Sequence, residues 1–229
     1  MIKAIIFDLD NTLMDFMKVK QVAVEAAVEA MIDAGLKVPK QEMVEKIYKA
    51  YGEEGIEDQH IFDKVLEREF GHIDYRILAS GIIGYRKAKE GMMSLYPHVH
   101  LTLTTLAKMG IKMIIVTDAP RLPVWMRISA LGLQHYFEHV LTYEDTGEKK
   151  PSPKPFQIAL DILKVKPEEA LMVGDWAERD VVGARQLGIK TAFARYGDRF
   201  GTKYSGADYE LNDILELVEI VRRENKIIS

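Results

Sequence analysis

Cysteine is absent from all 229 residues, which removes disulfides, thiolate nucleophiles and Cys-ligated zinc or iron–sulfur sites together. Any catalysis must run on oxygen and nitrogen groups. An excess of positive charge is missing as well. Lys and Arg number 31 against 35 Asp and Glu, a net charge of −4, so duplex phosphates meet no electrostatic footprint and nucleic acid is not an expected partner. Long apolar runs are lacking too. The stretch around Met113–Val116 falls far short of the ~20 residues that cross a bilayer, and no basic segment leads an apolar stretch at the N-terminus. The chain reads as soluble and cytoplasmic, without a membrane partner. Asn and Gln are scarce, at three and six, a balance reported for hyperthermophiles, although eleven Met point the other way.

What is present is ordinary globular composition, 48% hydrophobic and 29% charged, with no biased segment or repeat. Lys3-Ala4-Ile5-Ile6-Phe7-Asp8 is a short apolar run rich in branched residues and ending in acid, the signature of a buried parallel strand. Similar runs return at Lys112–Thr117, Val140–Thr142, Ala170–Gly174 and Lys190–Ala194. Helical patterns precede them: Leu101–Met109 stops at Gly110, Val124–Leu131 at Gly132, Arg179–Leu187 at Gly188, and Pro155 opens a helix ending near Leu163. Strands alternating with helices predict right-handed crossovers and a Rossmann-like, doubly wound parallel sheet of the α/β class. Between the first two strands lies a stretch of different character, with four apolar stripes at helical spacing. These are Val22, Ala23, Ala26, Ala27, Ala30, Met31 and Ala34; then Met43, Val44, Ile47 and Tyr51; then Ile61, Phe62, Val65 and Leu66; then Ile77, Leu78, Ile82 and Tyr85. The expected organisation is an α/β core of residues 1–15 and 96–229 with a four-helix insert at 16–95, joined by two adjacent connections that let it rock as a unit.

Ligands of an open α/β sheet bind beyond the carboxyl ends of its strands, so the residues following each run belong together. They are Asp8-Leu9-Asp10-Asn11-Thr12, Thr117-Asp118, Lys149-Lys150-Pro151, and Gly174-Asp175 with Asp180 five residues on. Like charges a few ångströms apart repel by ~4 kcal/mol per pair near a protein surface, so this cluster calls for a cation or protons. Oxygen donors without imidazole or thiolate suit magnesium, which keeps several waters and prefers one or two carboxylates plus substrate phosphate. His98, His100, His135 and His139 lie apart from these loops, and no metal role is assigned to them.

These segments resemble the four motifs of the haloacid dehalogenase superfamily of Asp-nucleophile phosphotransferases, in order and over nearly the whole chain. The resemblance implies Asp8 as nucleophile and Asp10 as general acid and base. Thr117, the Asp118 backbone N–H and Lys150 would hold the phosphoryl group. Magnesium would rest on Asp8, the Asp10 carbonyl and Asp175, with Asp180 bracing it from behind. Lys150 is chosen over Lys149 and Lys154 because it directly precedes the Pro-x-Pro turn. The helical insert takes the place of the family's mobile cap. Asn11 stands where glycine is frequent, and Trp176, Ala177 and Arg179 where small or amide residues are usual.

The implied activity is a magnesium-dependent phosphatase acting through an aspartyl phosphate on a small phosphorylated metabolite: a sugar, a polyol, or a triose such as glyceraldehyde 3-phosphate. Carbon–halogen cleavage is disfavoured, since it needs neither magnesium nor a proton donor at position 10. Two rivals remain. A sugar phosphomutase would carry a strongly basic cap to hold two phosphates, and a receiver-like phospho-acceptor would place its acceptor on the third strand. One feature of the insert bears on substrate. Tyr51-Gly52-Glu53-Glu54-Gly55-Ile56-Glu57-Asp58 holds four acids and no basic residue, and if it faces the leaving group it favours neutral ones.

Overall fold

The computed structural model describes residues 1–226, so the last three residues of the expected core segment lie outside it. The chain divides into two compact units, Met1–Asp15 with the chain from Ser94 onward, and Phe16–Met93. The second junction falls two residues before the boundary expected from sequence.

In chain order the elements begin with β1 (Ala4–Phe7) and four helices, α1 (Phe16–Asp33), α2 (Lys40–Glu54), α3 (Ile61–Phe70) and α4 (Tyr75–Met92). There follow α5 (Val99–Lys108), β2 (Lys112–Val116), α6 (Arg121–Ala130), β3 (His139–Leu141), α7 (Tyr143–Thr146) and α8 (Lys154–Leu163). The chain continues through β4 (Ala170–Gly174), α9 (Val182–Arg185), β5 (Lys190–Ala194), β6 (Tyr209–Leu211) and α10 (Glu216–Glu224).

The first unit is built on one sheet in the order β3-β2-β1-β4-β5-β6, every neighbouring pair parallel. This is the doubly wound order. The chain moves outward from β1 through β2 to β3, then crosses to β4 on the other side and moves outward again, so the strand order reverses at β1. Register sets Ile6 opposite both Ile114 and Met172. Those residues, with Ala4, Val116 and Ala170, face Phe156, Ala159, Leu160 and Leu163 of α8, and the central strands β1 and β4 are apolar throughout because helices cover both faces.

Two features depart from the sequence reading. A sixth strand, β6, escapes it because its three residues bury only Leu211 and show no period. The helix expected from Arg179 is a π-helical stretch, Ala177–Val181, that tightens into α9. It is wide because the Val182 N–H reaches back five residues to the Ala177 carbonyl, while the Trp176 carbonyl just before it accepts from the Arg179 and Asp180 N–H groups at 3.0 and 2.8 Å. Such one-turn widenings concentrate at functional sites, and this one carries Asp180.

The helical unit has its own core. Val24, Ala27, Val28 and Met31 of α1 pack with Met43, Ile47, Phe62, Val65, Leu66, Ile77 and Leu78. The buried stripe of α1 is rotated from the expected one, leaving Val22, Ala26 and Ala30 half-buried and enclosing Lys20. The ammonium of Lys20 lies 4.0 Å from the Tyr51 ring centroid, and burial pushes the Tyr51 hydroxyl far above the ordinary tyrosine range. Helices α1 and α4 approach closely at Gly84, where a Cβ would stand 2.7 Å from the Ala26 carbonyl oxygen. The acid-rich stretch, whose Glu53 and Glu54 close α2 and whose Glu57 and Asp58 lie in the loop after it, is not a bare negative surface. Lys64 pairs with Glu54 at 2.5 Å and Asp58 at 2.8 Å, and Arg68 with Glu53 at 2.7 Å, so two cations from α3 reach three of its four acids.

Candidate active site

The loop after β1 is wound tightly. Leu13 N–H returns to the Leu9 carbonyl at 2.9 Å and Asn11 N–H to that of Met14 at 2.7 Å. Closing so short a loop requires Asn11 in the left-handed region, φ 59°, a conformation asparagine tolerates better than most residues. Asp8 and Asp10 are thereby set on the same loop in different surroundings. The turn after β5 presses on this loop from the side. Tyr196 donates its hydroxyl to the Thr12 carbonyl at 2.8 Å, and a Cβ on Gly197 would meet the Asn11 carbonyl oxygen at 1.8 Å, so only glycine fits there.

Asp8, Asp175 and Asp180 are buried and bring carboxylate oxygens within 4.8 Å of one another. Lys150 reaches into them, donating to Asp8 Oδ1 and Asp180 Oδ1 at 2.6 Å each and to the Val116 carbonyl at 3.2 Å. Lys149 instead lies 5.3 Å from the Tyr143 ring centroid, and Lys154 pairs with exposed Glu148 at 3.3 Å. Of the three lysines, Lys150 is the one at the acids. Asp180 takes its place because Gly174 has no side chain: a Cβ there would sit 2.2 Å from Asp180 Oδ2. That oxygen accepts the Trp176 N–H at 3.0 Å, while Asp175 Oδ1 accepts the Thr12 hydroxyl at 3.2 Å.

Around this cluster stand two further carboxylates, each with its own cation. Asp118 accepts the Lys150 backbone N–H at 2.9 Å and the Arg179 guanidinium at 3.1 Å, tying the end of β2 to the loop before α8. Arg179 also stacks 3.6 Å from the Trp176 ring centroid, whose other neighbour is Phe200 at 4.4 Å. Asp10 Oδ2 accepts from Arg127 Nη1 at 2.7 Å. Sequence reasoning missed Arg127. The available signal was an arginine in register with Val124, Ile128 and Leu131 on the inward stripe of α6. Thr117 is buried at the end of β2, where its hydroxyl accepts the Ala119 N–H at 3.2 Å.

The electrostatics follow from counting. Asp8, Asp10, Asp118, Asp175 and Asp180 face Lys150, Arg127 and Arg179, which leaves 3 − 5 = −2 in a largely buried site. Burial pushes Asp8 up to about 7 even though Lys150 works against the rise, with Asp180 adding to it. Burial, then Asp8, then Asp180 push Asp175 up to about 9. Burial disfavours the Lys150 ammonium, yet Asp180 and Asp8 outweigh it and hold that group above the ordinary lysine range. The repulsion is concentrated on Asp8 and Asp175, which share the single Lys150 ammonium with Asp180. An all-oxygen donor set with two surplus negative charges fits a hard divalent cation.

Residues 5–194 match the family model of the haloacid dehalogenase-like hydrolases. The chain belongs to that family. It is 37% identical over 227 residues to a glyceraldehyde 3-phosphate phosphatase of Pyrococcus furiosus, covering 98% of this chain and 95% of that one. It is 34% identical over 229 residues to an enzyme of the same name from Methanocaldococcus jannaschii, covering 99% and 100%. Among solved structures, a haloacid dehalogenase-family phosphatase of Thermococcus onnurineus matches with a TM-score of 0.71 and 26% identity, covering 96% and 98%. The family, the α/β fold and the enzyme class expected from the motifs, a phosphoric monoester hydrolase, agree with these findings. Among the described residues no helix is long and apolar enough to cross a membrane.

Proposed function

We propose that this hydrolase is a magnesium-dependent phosphatase whose substrate is glyceraldehyde 3-phosphate or a closely similar small phosphate monoester. The observation that carries the mechanism is the division between two carboxylates two residues apart. Asp8 is buried among other acids, touches Lys150 and is short of positive charge, while Asp10 is paired with an arginine of its own. Two carboxylates in different environments can take different roles.

Asp8 is the nucleophile. One of its oxygens attacks phosphorus, the bond from phosphorus to the ester oxygen breaks, and Asp10 gives that oxygen its proton, releasing glyceraldehyde and leaving an aspartyl phosphate. Asp10 then takes a proton from water as the water oxygen bonds to phosphorus. Phosphate departs and the Asp8 carboxylate is restored. Lys150, the Thr117 hydroxyl and the Asp118 backbone N–H hold the phosphoryl oxygens through both steps. Asp8, the Asp10 carbonyl and Asp175 would hold the magnesium ion, with Asp180 fixing Lys150 and the Trp176 N–H beside them. The bound cation would offset the surplus negative charge and that of the incoming phosphate.

The triose substrate rests on the relatives that match from end to end and carry that activity in their names. The enzyme is taken to work in the cytoplasm. Phosphate release with magnesium should be measured from glyceraldehyde 3-phosphate, glycerol phosphate, glucose 6-phosphate, phosphoglycolate and fructose 1,6-bisphosphate. A higher kcat/KM for phosphoglycolate or the bisphosphate than for the triose phosphate would refute the substrate assignment.

A further inference from the structure

A guanidinium is rarely enclosed unless its charge is met, because the desolvation cost exceeds what loose contacts return. On α6, Arg121 is half exposed and pairs with Asp145, whereas the Arg127 side chain is 1% exposed. Arg127 stands in the inward stripe with Val124 and Ile128, where a leucine would bury more cheaply. Its charge meets Asp10 Oδ2 at 2.7 Å. The two residues are far apart in sequence but follow neighbouring parallel strands, one on the loop after β1 and the other nearly two turns into the helix after β2.

We propose that Arg127 is a positioning residue for the proton-transfer step. Its guanidinium holds Oδ2 and so fixes the orientation of the Asp10 carboxyl, which leaves Oδ1 as the atom that gives and takes the proton. A proton donor must lie within hydrogen-bond reach of the departing oxygen, and a carboxyl on a two-bond stem turns freely unless one oxygen is held. In the first half-reaction the Oδ1 proton passes to the ester oxygen, which keeps the electron pair of the broken bond to phosphorus. In the second, Oδ1 takes a proton from the attacking water. Arg127 keeps all its protons throughout, since arginine does not titrate in this range. The inference rests on reading Asp10 as the general acid and base.

A leaving group of low basicity departs without a proton, so p-nitrophenyl phosphate needs Asp10 little and an alkyl ester such as glycerol phosphate needs it most. The test is kcat/KM for both esters, with magnesium, in wild type, Arg127→Met, Arg127→Lys, Asp10→Asn and the double variant Asp10→Asn/Arg127→Met. Because kcat/KM ends at departure of the leaving group, it isolates the first proton transfer. Arg127→Met should lose about a hundredfold more on the alkyl than on the aryl ester, within the usual range for a general acid, and Arg127→Lys should recover part of it. Added to Asp10→Asn, Arg127→Met should cost at most about threefold, because groups that act as a unit are not additive. Equal losses on the two esters, or a double variant that multiplies the single losses, would overturn the proposal. If Asp10→Asn itself does not discriminate between the esters, the acid assignment falls and this inference with it. If Asp10→Asn discriminates and Arg127→Met does not, this inference falls alone. Should Arg127→Met not fold, the alkyl-to-aryl ratio is read on Arg127→Lys and Arg127→Gln. The proposal expects the ratio to decline from Arg to Lys to Gln, and an unchanged ratio refutes it.

Discussion

Two acid clusters in this chain have similar sequence character and opposite physics. Glu53, Glu54 and Asp58 crowd the end of α2 and the loop after it in the helical unit, and Asp8, Asp175 and Asp180 gather at the strand ends of the other unit. These three acids share Lys64 and Arg68 in reach of solvent, so most of their charge is offset and water screens what remains. The strand-end acids are buried and share one ammonium, and their surplus charge appears as carboxyls that resist ionisation. Burial and unmatched charge separate a chemical site from a decorated surface, and the number of acids does not.

Removing the central member of the buried cluster should give the largest effect. Asp8→Asn cannot form the acyl phosphate and should lower phosphate release by at least about three orders of magnitude while the melting temperature holds or rises, because a crowded negative charge has gone. Activity above about a tenth of wild type, measured under the same conditions, would remove Asp8 from the nucleophile's role.

The second effect is on pH and metal. Asp8 near 7 and Asp175 near 9 are both raised, so the folded metal-free protein keeps protons that the unfolded chain releases. Stability therefore falls as pH rises, starting above the ordinary carboxylate range and continuing through about 7 and then about 9. Magnesium binds the deprotonated carboxylates, so the melting temperature it adds should be greater at about pH 8.5 than at about pH 5.5, and chelator should abolish turnover. A metal-free protein that grows more stable over this interval, or a magnesium effect independent of pH, would mean the cluster is not the cation site.

The same contrast explains what could be read from sequence. Asp8, Asp175 and Lys150 were legible because continuous apolar runs announce buried parallel strands, and in such a sheet whatever follows a strand meets at one edge. The left-handed Asn11 had one signal in the sequence, its standing where the family often has glycine, the residue that adopts that conformation most readily. Arg127 was not legible as a site residue, because its partner lies 117 positions away and nothing local marks the pairing. The ion pairs of the loop acids were not legible for the same reason. Their neutralising cations sit on the next helix, at separations of 6 to 15 residues, and counting charge within the loop cannot find them. Short β6 and the widened turn at Ala177–Val181 were lost because three or five residues carry no usable period.

Close backbone approaches give a smaller effect that separates the two units. Gly174→Ala would place a methyl on Asp180, forcing that carboxylate away from Lys150, so both turnover and melting temperature should drop. Gly84→Ala would press on the Ala26 carbonyl between α1 and α4 at a cost of about 1–3 kcal/mol, typical of overpacking, with the strand-end acids untouched. Magnesium-dependent stabilisation should therefore weaken in the first variant and persist in the second. Equal magnesium responses would mean that Asp180 is not part of the cation's support.

The smallest effect belongs to the loop. Glu53→Gln, Glu54→Gln and Asp58→Asn each break an exposed ion pair, and solvent-exposed pairs contribute little because water already satisfies both charges. Melting temperatures should stay close to wild type, and the ranking of glycerol phosphate, glucose 6-phosphate, phosphoglycolate and fructose 1,6-bisphosphate by kcat/KM should not change. Selection by charge would require a strong negative surface here, and Lys64 and Arg68 reach three acids of the four where solvent screens the remainder. Neutralising the cations makes the reverse test. Arg68→Gln and Lys64→Gln expose those acids, and if this loop faces the leaving group, the two variants should turn against phosphoglycolate and the bisphosphate while the acid variants do nothing. A ranking that stays fixed in all five variants would show that substrate choice is made elsewhere, and a shift in the acid variants alone would show that the pairing does not silence the loop.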